Sequence, residues 1–174
     1  MIASRPYHIV VFCMGNICRS PTAHAVLRQR VQQRGWHTWV TVDSAGTHAY
    51  HVGHAPDPRA QHHARLRGYD LSDLRARQLS ASDFEHADLL LGMDWDNLAL
   101  AQAACPAAYR HKIRRLAEFC RHHDSPIVPD PYYGGADAFE HVLDLVEDAT
   151  EGLLDHIGRV LAQRGLAVPP ASHS

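Results

Sequence analysis

The sequence predicts an α/β fold, an open parallel sheet covered by helices on both faces, and three observations carry that reading. Tyr7–Phe12 and Ala87–Gly92 are short, nearly continuous apolar runs, the mark of strands buried on both faces. These runs alternate with longer segments of helical character, as crossover connections in a parallel sheet require. The length, 174 residues with 45% hydrophobic and 21% charged side chains, suits one domain with a sizeable core. No repeat or linker divides the chain, so residues 1–174 read as a single domain, with an ordered core from about residue 6 to about 166.

The elements follow in order. Tyr7–Phe12 lies between Pro6 and the Gly15-Asn16 turn and reads as the first strand. Ser20-Pro21 opens a helix, with Ser as N-cap and Pro at the first helical position, and Gly35 ends it. The β-branched and aromatic stretch Trp36–Val42 predicts a second strand. Asp43–Asp57, rich in Gly, His and Pro, is expected to be a long surface loop, and Pro58 begins a helix that Gly68 closes. Ala87–Gly92 is the third strand, Trp95–Ala104 a helix, and Lys112–Leu116 a short fourth strand. Pro126–Gly135 reads as a loop, and apolar positions from Phe139 to Leu161 describe a long amphipathic helix. The tail from Val168 is expected to fray.

Composition narrows the function. A net charge of −2 argues against a general nucleic-acid binder, which would carry a basic stripe. No apolar run is long enough for a membrane helix, so no membrane insertion is expected. Met1–Tyr7 has no apolar stretch distinct from the first strand; no signal peptide is read there, and a cytoplasmic location is expected. Four cysteines are too few for a disulfide scaffold. The 15 histidines include His48, His51 and His54, but a solvated loop explains that spacing more simply than a metal site, and none is expected.

The chemistry concentrates in Cys13-Met14-Gly15-Asn16-Ile17-Cys18-Arg19-Ser20-Pro21, at the turn between a buried strand and a helix N-terminus. Open α/β folds bind ligands at such turns. Successive backbone N–H groups there can cradle an anion, which the helix dipole also favours. Cys13 lies at the base of the cradle, where the same amides favour a thiolate. Arg19 can fork two donors onto two phosphate oxygens, and Ser20 can bond the thiolate or cap the helix. Gly15 and Asn16 tolerate the positive φ of a tight loop. Cys18 is near enough in sequence for a reversible disulfide that would protect Cys13 from over-oxidation; a small apolar filler of the loop is the alternative. Asp130, on a proline-rich loop beside Tyr132 and Tyr133, could supply a proton to a leaving oxygen, or merely start a turn before Pro131.

At these residues the chain resembles the low-molecular-weight protein tyrosine phosphatases. The resemblance extends through Asp43-Ser44-Ala45-Gly46-Thr47, Pro56-Asp57-Pro58-Arg59-Ala60, Ala76-Arg77-Gln78, Met93-Asp94, Asp130-Pro131-Tyr132-Tyr133-Gly134 and Phe139-Glu140. It implies four parallel strands in the order 2-1-3-4. It also implies Cys13 as nucleophile, Arg19 as phosphate clamp and Asp130 as general acid. Met14, Gly15, Asn16, Ile17, Cys18, Ser20 and Ser44 would then bind phosphate or support the loop, with Tyr50, Tyr132 and Tyr133 as pocket wall. Members often carry histidine two residues before Ala76-Arg77-Gln78; here Leu74 stands there, so the supporting network, which includes Asn16 and Ser44, is expected to be repacked. Tyr50 occupies a wall position that is often Trp.

The activity so implied is hydrolysis of phosphotyrosine and small aryl phosphates through a phosphocysteine, with no cofactor and with inhibition by phosphate-like oxyanions. The partner implied is a tyrosine-phosphorylated protein, a bacterial tyrosine kinase being one type. Arsenate reduction on the same fold needs a further redox pair of cysteines, and none lies between Thr47 and Trp95. Arginine phosphatases tend to have Thr where this chain has Ile17. A phosphate-binding or thiol-switch regulator using the same loop is the non-enzymatic alternative.

Overall fold

The computed structural model describes residues 5–165; the segment from Val168, with its expected fraying, lies outside them. In chain order the main elements are β1 (Tyr7–Cys13), α1 (Arg19–Gln33), β2 (Val40–Gly46), α2 (Pro58–Leu66), α3 (Ala81–His86) and β3 (Leu89–Gly92). Then come α4 (Trp95–Ala104), β4 (Ile113–Arg115) and α5 (Ala136–Gln163), with 3₁₀ turns at Ala107–Lys112 and Leu116–Phe119 on either side of β4.

The four strands form one sheet in the order β2-β1-β3-β4, and every pairing is parallel. Side chains alternate across a strand, and β1 shows both faces at work. Ile9 and Val11 join the core beneath α1 and α5, with Val26, Leu27, Leu143 and Leu153. Val10 and Phe12 join a second core beneath α3 and α4, with Phe84, Leu90 and Leu98. Each fully buried Val or Leu contributes about 1.5–3 kcal/mol, so the doubly buried central strand is the anchor of the molecule. Outside these cores, Arg30, Arg34 and Arg67 pair with Glu140, Asp144, Glu147, Glu151 and Asp155 and strap α1 and α2 to α5.

Two local expectations are corrected. β2 starts at Val40, not Trp36: the Trp36 carbonyl accepts the N–H groups of Trp39 and Val40 and closes a turn. Its indole is buried beneath Gly158 of α5 and the Arg34 guanidinium, so the aromatic character reflects packing. β2 also continues through Asp43–Gly46, placed above in a loop, because Asp43 and Ser44 find polar partners in Arg77 and His24. The short helix α3 was not expected; its signal is a capping box in which the Asp83 carboxylate accepts from the Ser80 N–H (2.8 Å) and hydroxyl (3.2 Å).

Candidate active site

Register places the site. The last pair of the β1–β2 ladder is Cys13 opposite Gly46, so the chain leaves the carboxyl edge of the sheet at Cys13 and turns at once into α1. Three carbonyls of the turn are tied off behind it. The Cys13 oxygen accepts from Thr47 N–H (2.8 Å), Met14 from His48 (3.0 Å) and Ile17 from Asp57 (2.8 Å). The first N–H groups of α1 have no intrahelical acceptor, which leaves a concentration of donors where the loop meets the helix. Gly46 permits the close approach: a Cβ there would sit 2.8 Å from the Met14 carbonyl oxygen.

The loop is braced from within. Asn16 holds a left-handed backbone (φ 57°), uncommon for a residue with a side chain. Its buried amide accounts for that geometry: Oδ1 accepts from Arg77 N–H (3.0 Å) and Nδ2 donates to Ser20 Oγ (2.8 Å). Ser20 Oγ also lies 3.1 Å from Cys13 Sγ and 3.3 Å from the Ala45 carbonyl oxygen. Ser20 is therefore no N-cap. Cys18 holds that place, and Pro21 falls in the first turn, where its missing N–H is harmless. Ser44 stands apart from this chain and meets His24 Nδ1 at 2.9 Å. Leu74 is packed into the apolar core beneath α1 and brings no polar group to the network.

Arg19 is the most deeply buried charged residue among the described residues. It is 1% exposed, and Nη1 donates to Asp94 Oδ2 (2.6 Å) and to the Val128 carbonyl (2.9 Å). Nη2 stands 3.8 Å from Asp130 Oδ2, while buried Nε has no hydrogen-bond partner among the described residues. One edge of the guanidinium is thus fixed by the protein and the other is free to take a bidentate acceptor. Asp94, of the Met93-Asp94 pair, is a site residue that sequence reasoning missed. As N-cap of α4 it accepts from Asn97 N–H (2.8 Å) while its other oxygen holds Arg19. A capping box at Asp94–Asn97 was the signal that could have found it.

Above the loop lies a cleft of about 280 Å³. Cys13, Met14, Gly15, Ile17, Cys18 and Arg19 form its floor, and Tyr50, His51, Asp130, Tyr132 and Tyr133 its rim. Every site residue predicted from the sequence is therefore in the cleft except Asn16, Ser20 and Ser44, which are buried behind it. Sequence reasoning missed His51, whose ring rests against Gly15. Among the described residues no group of side chains could hold a metal ion.

The rim is aromatic and held. Tyr132 packs edge-on to Tyr133 (4.9 Å between centroids), and Tyr50 stacks on His48 (5.0 Å). Asp57 grips Arg59 through both oxygens, which sets that guanidinium over the rings of Tyr132 (5.3 Å) and Phe139 (4.9 Å). Asp130 Oδ1 accepts from Tyr132 N–H (3.0 Å), which ties the carboxyl to the backbone of that tyrosine. Floor and rim thus combine a buried thiol, an anion cradle, a half-tied guanidinium and an exposed carboxyl, flanked by faces that fit an aryl group.

Comparison with known proteins agrees. A sequence model described as low molecular weight phosphotyrosine protein phosphatase matches residues 8–163. A low molecular weight protein-tyrosine-phosphatase of Streptomyces coelicolor is 43% identical over 155 residues, covering 85% of this chain and 92% of that protein. A low molecular weight phosphotyrosine protein phosphatase of Schizosaccharomyces pombe is 39% identical over 150 residues, 86% of this chain and 96% of its own. Among solved structures, a protein tyrosine phosphatase of Entamoeba histolytica superposes with a TM-score of 0.86 at 38% identity, covering 90% of this chain and 99% of the other. YfkJ of Bacillus subtilis gives 0.82 at 32% identity, covering 91% and 98%. Fold, cleft and relatives converge: the chain belongs to the low molecular weight phosphotyrosine protein phosphatase family and is a protein-tyrosine phosphatase.

Proposed function

We propose that the protein hydrolyses phosphotyrosine in proteins, and small aryl phosphates, in two steps through a phosphocysteine at Cys13. The observation that carries this reading is Arg19: a buried guanidinium with one edge tied to Asp94 and Val128 and with an unpartnered Nε, in the same cleft as Cys13. In the first step the Cys13 thiolate attacks phosphorus as the tyrosyl oxygen leaves. Nε and Nη2 of Arg19, with the loop amides, take the equatorial oxygens, where charge spreads in the transition state. Ser20 Oγ, 3.1 Å from the sulfur, stabilises the thiolate. Asp130 passes its proton to the leaving oxygen, and the rim tyrosines hold the ring. In the second step water attacks the phosphorus, the P–S bond breaks to return the Cys13 thiolate, Asp130 takes a proton from that water, and phosphate departs. A tyrosine-phosphorylated protein is the substrate class, an autophosphorylated bacterial tyrosine kinase included.

Leaving-group chemistry tests the assignment. The tyrosyl oxygen has a conjugate-acid pKa of about 10, and a positioned acid supplies typically about 10²–10⁴-fold. A strongly activated phenol needs little such help. Single-turnover phosphoenzyme formation over a series of aryl phosphates should therefore depend more steeply on leaving-group pKa in Asp130→Asn than in wild type. Parallel lines would remove Asp130 from the acid role.

A further inference from the structure

His24 is a buried titratable group with no part in the two steps above. It lies in α1 one helical turn after Ser20, so both side chains project from the same face of the helix. That face meets the end of β2 twice. Ser20 Oγ lies 3.3 Å from the Ala45 carbonyl oxygen, which leaves its single proton to the shorter contact with sulfur, and His24 Nδ1 shares a hydrogen bond of 2.9 Å with Ser44 Oγ. Ser20 in turn touches the Cys13 sulfur, and Gly46, which follows Ala45, pairs with Cys13 across the ladder. Burial pushes the His24 imidazole down to about 4, with Asp43 and Asp73 acting against that shift and Arg28 and Arg77 adding to it. The ring is therefore neutral near pH 7, one nitrogen a donor and the other an acceptor.

We propose that His24 is a positioning residue for the phosphoryl-transfer reaction: its bond to Ser44 fixes α1 against β2 so that Ser20 stands at hydrogen-bond distance from Cys13. The proposal rests on the two-step reading above for its consequence in kcat. Catalytic geometry tolerates little slack, since a displacement of about 1 Å can cost about 10²-fold. A hydroxyl drawn away from the sulfur stabilises the thiolate less, whatever the substrate.

The test uses two readouts on the full chain. One is the rate at which iodoacetamide alkylates Cys13 at neutral pH, followed by peptide mass spectrometry. The other is kcat and KM on an aryl phosphate. His24→Ala and Ser44→Ala should each slow alkylation and lower kcat by about tenfold, with KM within about twofold, and the double variant should be no worse than either single one. His24→Asn, which keeps a polar atom near the place of Nδ1, should recover most of both rates. Ser44→Ala removes only a hydroxyl, so the test stands if His24→Ala fails to fold. Alkylation and kcat equal to wild type, with only a lower Tm, would overturn the proposal. Slowed alkylation in a protein without activity on any aryl phosphate would instead uphold the positioning role and sink the two-step reading.

Discussion

At the scale of single residues, the site depends on groups whose chemistry has no close substitute. Arg19→Lys keeps the charge but loses the planar fork and leaves the Asp94 carboxylate and the Val128 carbonyl without their donor. We expect kcat to fall by about 10²–10³-fold with a smaller change in KM, because the lost contact tightens as charge spreads on the phosphoryl oxygens. Steady-state kinetics checks this, and a wild-type kcat would refute the clamp. The two loop cysteines should also behave differently. Burial, and after it the nearby Asp57, pushes the Cys18 thiol well above its ordinary range. At neutral pH iodoacetamide should therefore label Cys13 and spare Cys18. After mild peroxide, Cys18 is the thiol able to capture an oxidised Cys13, so thiol reductant should restore wild type but not Cys18→Ser. Equal recovery of both proteins would dispose of that protective role. That Cys13, Arg19 and Asp130 meet in one cleft was legible from the strand–turn–helix motif and, for Asp130, from the family resemblance. Asp94, His51 and His24 were not, since their roles come from which neighbours the fold brings to them.

At the scale of elements, strands buried on both faces announced themselves, and α4 matched its expected bounds. At β2, side-chain type is a poor guide to backbone state. Trp36 fills space against α5 rather than a strand, and the polar Asp43-Ser44 pair sits within a strand because Arg77 and His24 satisfy it. Helix α3 has only 6 residues, too few to show a hydrophobic period, and only its capping box betrays it. The long helix α5 carries the sharpest packing constraint. At Gly152 an added Cβ would overlap the Phe119 carbonyl oxygen, so α5 can lie against that 3₁₀ turn only without a side chain. Gly152→Ala should destabilise the fold by about 1–3 kcal/mol, despite alanine's better helix propensity, as overpacked cores do. Urea denaturation measures it, and a gain in stability would mean that α5 and the turn are not held so closely.

At the scale of the whole molecule, the parallel sheet delivers Cys13 to its carboxyl edge, the loops after β1 and β2 together with the segment before α5 build the cleft around it, and Asp94, just after β3, holds Arg19 from behind. The same packing sets the response to acid. His24 titrates near 4 in the folded chain and near 6.5 unfolded, so the unfolded chain takes up the proton first, and stability should fall as pH drops from about 6.5 toward 4. Asp148 follows. Burial works to raise it, but the N–H groups of Arg121 and His122 and the His123 ring hold it at about 2. Its contribution is present above about pH 4 and lost as pH falls toward 2. Urea unfolding as a function of pH should show His24→Asn flattening the upper limb. Asp148→Asn should flatten the lower one and cost about 2 kcal/mol near pH 7, since two backbone donors lose their charged acceptor. Unchanged profiles would place the acid sensitivity elsewhere. Both proposed steps run through a covalent intermediate, and the most direct measurement of it is rapid quenching of the enzyme with phosphotyrosine, followed by mass spectrometry of its peptides. The phosphoryl group should appear on the Cys13 peptide before free phosphate accumulates, and the Cys13→Ser variant should show neither the intermediate nor turnover; phosphate released without a phosphorylated Cys13, or turnover surviving in that variant, would contradict it.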